Sequence, residues 1–353
     1  MRITHLTYER LELSLSESYT IAYETVNKAT NFILKAETDS GIVGYGCAAP
    51  DKTVTGESPD DVEAAIKDVI IPFLQQKEVF TYARIITELR NLLQHRSSSI
   101  AMVDLMLYDL IAKKAGLPLY QFLGGYQSSI PTSITIGIIP MEETMELARS
   151  FVKQGFKTIK VKGGLHLDED VEKMQRLRAT YPNINLRFDG NQGYTVADAI
   201  AFVYATKEIN IEIFEQPTKV SNEVAIGEVT GLGSVPVMAD ESLKTLSDAF
   251  RLAQNKLINM VNIKLMKVGG IYKAMHINSV ARSAKIEAMV GCIDECSLGI
   301  AAGLHFALSR ENVKHADLDG HLDITNDPFQ GLFKLKNGVL YPTDAPGLGP
   351  IDF

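Results

Sequence analysis

The sequence predicts an α/β protein, a parallel (β/α) barrel joined to a smaller α+β domain. Three observations predict it. The 353 residues exceed what one simple core usually fills. An N-terminal block of strand-like runs is followed by helical stretches rather than alternating with them. From Pro131 onward, short β-rich runs alternate regularly with amphipathic helical segments.

Up to about residue 50, ITHLTYERLEL and NFILKAETD alternate apolar with polar residues, and GIVGYG at 41–46 reads as a tight hairpin return. A small antiparallel sheet follows. Ser58-Pro59-Asp60 is a helix start, after which DVEAAIKDVIIPFL carries apolar residues at helical spacing. SSSIAMVDLMLYDLIAKKAG repeats that pattern, with Gly116 as its stop.

Eight candidate strands come next: ITIG (134–137), TIKVK (158–162), LRFD (186–189), IEIFE (211–215), VPVMAD (235–240), MVNIKL (260–265), IEAMVGC (286–292) and HADLD (315–319). The polar residues closing five of them, Lys162, Asp189, Glu215, Asp240 and Lys264, stand 24 to 27 residues apart. One strand, one helix and two short loops need about that much chain, at ~1.5 Å per helical residue. The expected organisation is an α+β capping domain over 1–125 and a barrel over 126–324. The tail, 325–353 with its KLKNGVLYP, lacks another βα unit and is expected to return to the first domain.

Composition narrows the function. The 46% apolar and 22% charged residues are ordinary for a globular chain, and a net charge of -8 without a basic run argues against nucleic acid as partner. Cys47, Cys292 and Cys296 form neither a disulfide framework nor a zinc spacing, which fits a reducing compartment, the cytoplasm. No apolar run approaches the roughly 20 residues that span a bilayer. A small-molecule partner is expected.

Asp189, Glu215 and Asp240 end three successive apolar strands and would project together at one barrel mouth, where loops at strand C-termini build active sites. Three converging carboxylates repel and protonate unless a cation joins them, and a hard divalent ion such as Mg²⁺ or Mn²⁺ suits such oxygens. Lys160 and Lys162 lie two apart on a strand and so share a face, while Lys264 closes a strand farther round the ring. A lysine on each side of a metal suits removal and return of a proton beside a carboxylate. The cation neutralises the charge that forms, and positive neighbours, Lys160 among them, lower the pKa of the basic lysine. The histidines are scattered, and GIVGYG and GLGS (231–234) read as turns, not as nucleotide loops. Gly269 and Gly270 open a helix, where backbone N–H groups could receive an anion or the helix could simply pack on the strand.

With TIKVK, RFDGNQG, FEQP, MADES, NIKLMKVGG, GCIDE with LGIAAGLHFA, and DLD at 317–319 in this order, nearly the whole chain resembles the enolase superfamily. The likeness is to its muconate-lactonizing subgroup and, within that, to the dipeptide epimerases. The resemblance implies a modified TIM barrel, (β/α)₇β, under an α+β cap. It also implies one Mg²⁺ on Asp189, Glu215 and Asp240, with Lys162 and Lys264 as the acid/base pair. Lys160, Thr135, Asp294 and Glu295 fall among the implied substrate-binding residues, and Asn191 and Glu241 support the metal shell. A DxD at the end of the eighth strand holds the free α-ammonium of a dipeptide in such enzymes, and Asp317 and Asp319 match it.

Members acting on L-Ala-L-Glu carry an arginine in the mobile cap loop, where YTIAYETV here has Glu24. A carboxylate there repels an acidic side chain. The expected substrate is therefore an Ala-Xaa dipeptide whose second residue is neutral, hydrophobic or basic. A homo-oligomer is expected. The alternatives are an o-succinylbenzoate synthase, N-succinylamino acid racemase or cycloisomerase on the same scaffold, and a silent barrel that only binds.

Overall fold

The computed structural model describes residues 1–20 and 25–353, with side chains outside 17–27. Strands β1 (Ile3–Thr20), β2 (Thr25–Thr38) and β3 (Val43–Ala48) form an antiparallel sheet in that order. Alternation along β2 sends Phe32, Leu34 and Ala36 into one core and Ile33 into another. Both faces of its centre are thus buried, which is why NFIL reads as a continuous apolar run.

The return from β2 to β3 is made by residues 38–42, where Thr38 N–H donates to the Ile42 carbonyl at 3.2 Å and Gly41 takes φ +75°. The other glycines of GIVGYG are not turn residues. Gly44 and Gly46 lie inside β3 under the helix Ser97–Ala115, and a Cβ on Gly46 would run into the Met102 carbonyl and the Met106 N–H. That helix is buried nearly all round between the sheet and the barrel, as its unbroken apolar sequence requires. Gly116 ends it at φ +70°.

Ser58 caps the next-door helix Pro59–Ala65 in a reciprocal box with Asp61. The single helix expected over DVEAAIKDVIIPFL is interrupted by a π-helical turn, Ile66–Ile70, before Ile71–Leu74. Pro72 supplies the reason, because it cannot donate a hydrogen bond and its ring crowds the carbonyl four residues back, so the wider turn relieves both.

After a two-residue strand β4 (Ile130–Pro131), eight parallel strands follow in chain order: β5 (Ile134–Ile136), β6 (Thr158–Lys162), β7 (Asn185–Asp189), β8 (Ile213–Glu215), β9 (Val237–Ala239), β10 (Met260–Lys264), β11 (Glu287–Gly291) and β12 (Val313–Asp317). Ser133 N–H donates to the Ala316 carbonyl at 3.1 Å, bringing the last strand round to the first. All eight expected strands occur; most differ by one to three residues at their ends, and the last lies two residues earlier than expected, ending at Asp317 rather than Asp319. Inside, Ile213, Met238, Met260 and Met289 form an apolar layer. Toward the strand N-termini, Arg187 donates to Glu212 at 2.7 Å and to the Ala316 carbonyl at 3.0 Å.

The tail divides. Strands β13 (Phe333–Lys336) and β14 (Val339–Pro342) form a hairpin on β4, while Leu348 N–H reaches Asp109 and Tyr45 OH reaches the Phe353 carbonyl. A second tie crosses between the domains. Asp104, buried on Ser97–Ala115, accepts from the N–H groups of Ile271 and Tyr272 that open the helix Ile271–Ser283. The N–H groups of Gly269 and Gly270 themselves return to the Leu265 carbonyl, and the helix start is occupied by a carboxyl group of the chain itself, reached through Ile271 and Tyr272. A Cβ on Gly270 would collide with it. Among the described residues no helix is long and apolar enough to cross a membrane.

Gly46→Ala should lower stability by about 1–3 kcal/mol, the usual range for an overpacked contact that cannot relax. A shift in the urea midpoint with an unchanged slope measures it.

Candidate active site

A cavity of about 110 Å³ opens at the C-terminal ends of the barrel strands and is roofed by Asp51 and Val54 of the N-terminal domain. Strand alternation builds its wall. Residues two apart share the interior face, so Lys160 with Lys162 and Asn262 with Lys264 all turn inward. Lys162 pairs in register with Asp189, and Asp189 with Glu215, which puts three charged groups side by side.

Lys160 is the hub. Its ammonium, on a residue only 2% exposed, lies 2.9 Å from Asp189, 2.8 Å from Glu215 and 2.9 Å from Asp317. Burial alone would lower its pKa, but the charges of Asp189, Asp317 and Glu215 raise it well above the ordinary lysine value. Lys264, on the far side, pairs with Asp240 at 2.8 Å, and Lys267 reaches the other carboxylate oxygen and the carbonyl of the same residue. Burial opposes the charged form of Asp240, yet the two ammoniums hold its pKa well below the usual range.

Lys264 is held charged: burial and the nearby Lys160 lower its pKa, but Asp240 and Glu215 raise it well above normal. Glu215 moves the other way, pushed up to about 7 by burial and by Asp189. The acids outnumber what the lysines compensate.

The remaining predicted residues separate. Asp317 accepts from Ser133 Oγ at 2.6 Å as well as from Lys160; against its burial these bring its pKa to about 2. Asp319, past the end of β12, accepts from Thr135 N–H at 2.7 Å and is pushed up to about 7 by burial and by Asp317. Both line the cavity with Thr135, and Asp294 does too. Glu295 is not on that wall. It turns back into its own loop, where it accepts from Ile293 N–H, and burial pushes it up to about 8. Asp189 and Glu215 lie behind Lys160 rather than on the wall itself. Glu24 lies outside the described residues.

Sequence reasoning missed Asn262, whose amide donates to Glu215 at 2.7 Å, and the same two-residue period that flags Lys160 could have found it. Gly291 makes room for it, since a Cβ there would press on the Asn262 amide. Lys267 carried no signal. Three residues past Lys264 it resembles a solvated helix lysine, yet it is 1% exposed. Gln216, which accepts from the N–H groups of Asp240 and Ser242, was also missed; it adopts φ +30° to do so.

Among the described residues no three Asp, Glu, His or Cys side chains already stand as a finished metal shell. The donor chemistry nonetheless fits a hard cation. Buried oxygens of Asn191 (Oδ1) and Glu241 (Oε2), both residues on the cavity wall, find no hydrogen-bond partner among the described residues. Burial, with Asp240 and Asp189 beside it, pushes Glu241 up to about 8. Carboxylate and amide oxygens short of positive charge are what Mg²⁺ takes.

Family models match both parts of the chain: "Mandelate racemase / muconate lactonizing enzyme, N-terminal domain" over 8–124 and "Enolase C-terminal domain-like" over 143–350. The chain belongs to the mandelate racemase / muconate lactonizing enzyme family of the enolase superfamily, as its cap and barrel indicate. Its relatives there include dipeptide epimerases, which are isomerases, and, at 31% identity over 99% of this chain, an N-succinyl-L-Arg/Lys racemase of Bacillus cereus. It is 38% identical over 351 residues to an L-Lys-D/L-Arg epimerase of Desulforapulum autotrophicum, covering 99% of each. It is 36% identical to the L-Ala-D/L-Glu epimerase of Bacillus subtilis, over 99% of this chain and 97% of that one. A dipeptide epimerase from Enterococcus faecalis, solved with Mg and the dipeptide L-Leu-L-Tyr, superposes with a TM-score of 0.96 at 34% identity over 99% of both chains.

Lys160→Met should cost the metal-free protein about 3–5 kcal/mol at pH 7, because it leaves buried carboxylates without their shared counter-charge. Those carboxylates then have folded-state pKa values above their unfolded ones, so the deficit should shrink as the pH falls toward 4. Urea melts in EDTA at a series of pH values read both.

Proposed function

We propose that the chain is a Mg²⁺-dependent dipeptide epimerase that inverts the α-carbon of the second residue by two-lysine 1,1-proton transfer. The observation that carries this reading is the placement of Lys162 and Lys264 on the wall of one small cavity, on β6 and β10. These are second and sixth in a ring of eight, hence on opposite sides. An α-carbon held between them is open to one lysine on each face.

The proton is the difficulty. Removing it drives a second negative charge onto a carboxylate, and a Mg²⁺ bound by Asp189, Glu215 and Asp240 supplies the charge that neutralises it. Lys160 stays protonated among the acids and adds positive charge from below. One of Lys162 and Lys264 takes the α-proton and the other delivers one to the opposite face, which balances the reaction and leaves the inverted centre. Asn262 and Lys267 hold Glu215 and Asp240 in place. The cap roof excludes water.

Asp317, which ends β12 beside β5, and Asp319, two residues beyond it, receive the α-ammonium of the dipeptide. This favours a dipeptide over the N-succinyl substrates of the rival reading, whose acyl end is anionic and would face two carboxylates. Asp51, Asp294 and Asp323 add further acid to the cavity wall, supporting a neutral or basic second side chain and opposing an acidic one.

In D₂O with Mg²⁺, NMR should show loss of the α-hydrogen signal of the second residue for Ala-Leu and for lysine- or arginine-bearing dipeptides, and little loss for Ala-Glu. A clear preference for Ala-Glu would overturn the specificity. EDTA should abolish exchange, and Lys162→Ala and Lys264→Ala should each lower turnover by about 10²–10⁴-fold, the worth of a general acid or base. The double change Asp317→Asn with Asp319→Asn should lower kcat/KM for dipeptides by roughly 10- to 100-fold, as expected for a lost charge-assisted hydrogen bond. If N-succinylamino acids turn over better than dipeptides and ignore that change, the racemase reading replaces this one.

A further inference from the structure

A second cavity lies between the N-terminal domain and the barrel, on the other side of the loop 51–57 from the first. Asp51 and Val54 of that loop line the first cavity, and Thr55 and Gly56 line the second. Its volume is about 560 Å³. The lining charges are all of one sign: Arg90 and Arg96 from the cap, and Lys244, Lys267 and Lys273 from the barrel, with no aspartate or glutamate on the wall. This stands out in a chain whose net charge is -8.

Lys267 is committed to Asp240, but the other cations are not gathered there by ion pairs: Arg96 donates to the Asp61 carbonyl and Lys244 to the Thr53 carbonyl, which are neutral groups. Among the described residues, Arg90 and Lys273 have no ion-pair partner within 4.0 Å. The acid nearest in sequence, Glu57, is turned inward, accepting from the N–H groups of Ser98 and Ser99. Lys273 is half-buried, and burial together with the charge of Arg90 pushes its pKa down to about 8 against the pull of Asp248, a carboxylate that lies off the wall and is already taken by Arg251 and the N–H groups of Lys244 and Thr245. Like charges brought together at the cost of desolvation are stabilised by a counter-charge between them.

We propose that this cleft binds a small polyanion, a molecule bearing phosphoryl or carboxylate groups, clamped between Arg90 and Arg96 of the cap and Lys244 and Lys273 of the barrel. Arginine forks suit both groups, and lysines add charge from the opposite wall. The site is separate from the one that handles the dipeptide and does not depend on the epimerase reading.

The test uses the full chain loaded with Mg²⁺, at low ionic strength, with inorganic phosphate followed by ³¹P line broadening and calorimetry. Saturable binding is expected. Arg90→Ala combined with Lys273→Ala should weaken it at least tenfold while leaving dipeptide turnover unchanged, since neither residue touches the first cavity. Displacement by tricarballylate assigns the site to carboxylates as well; failure to displace assigns it to phosphoryl groups, and either supports the proposal. No saturation up to about 10 mM phosphate, equal competition by chloride, or binding that survives the double change would overturn it. In the last case the anion sits elsewhere, and Arg96→Ala, tested alone, should also leave binding unaffected.

Discussion

One ammonium makes this barrel mouth possible. Asp189, Glu215 and Asp317 are each at most 4% exposed, and three such carboxylates facing one another would drive the strand ends apart or force protons onto them. Lys160 satisfies all three from a single position on β6. The neighbouring arrangement depends on it. With Glu215 held on one oxygen by Lys160 and on the other by Asn262, and Asp240 fixed by Lys264 and Lys267, the charged layer becomes a rigid lattice above the methionine layer. A site built this way is strong because it is fully connected, and each deletion exposes a neighbour.

The same economy governs the seam between cap and barrel. The helix Ser97–Ala115 lies close on β3 because Gly44 and Gly46 offer bare backbone, and the same helix meets Leu265–Val268, the turn of helix that follows Lys264. The loop 51–57 is the common wall of two cavities with opposite character, one acid-rich and one wholly basic. Lys244 ties it to the barrel through the Thr53 carbonyl.

Much of this could be read from the sequence, for a physical reason. Strands of a parallel barrel are apolar on the outside, so a charged residue at the end of one stands out, and five at an even pitch mark the ring and its mouth together. The period of two placed Lys160 correctly for the same reason. The reading weakened where position depends on tertiary contact. Gly44 and Gly46 look like turn residues in sequence, because nothing local distinguishes a glycine needed for φ from one needed for closeness. Lys267 lies on a short helix with no pattern to betray its burial, and Glu295 has the motif of a site residue but a backbone that turns it away. The π turn before Pro72 shows the reverse case, where a single residue announces an irregularity that helical periodicity alone overrides.

Asp104 makes each domain part of the other's construction. The helix that follows the Lys264 strand begins on a carboxylate borrowed from the cap, and Gly270 is kept bare so that the carboxylate can reach it. A foreign cap grafted onto this barrel would leave that helix without its acceptor, and a foreign barrel would leave Asp104 buried without donors. A chimera of this chain with another would therefore have to carry Asp104 and Gly270 together.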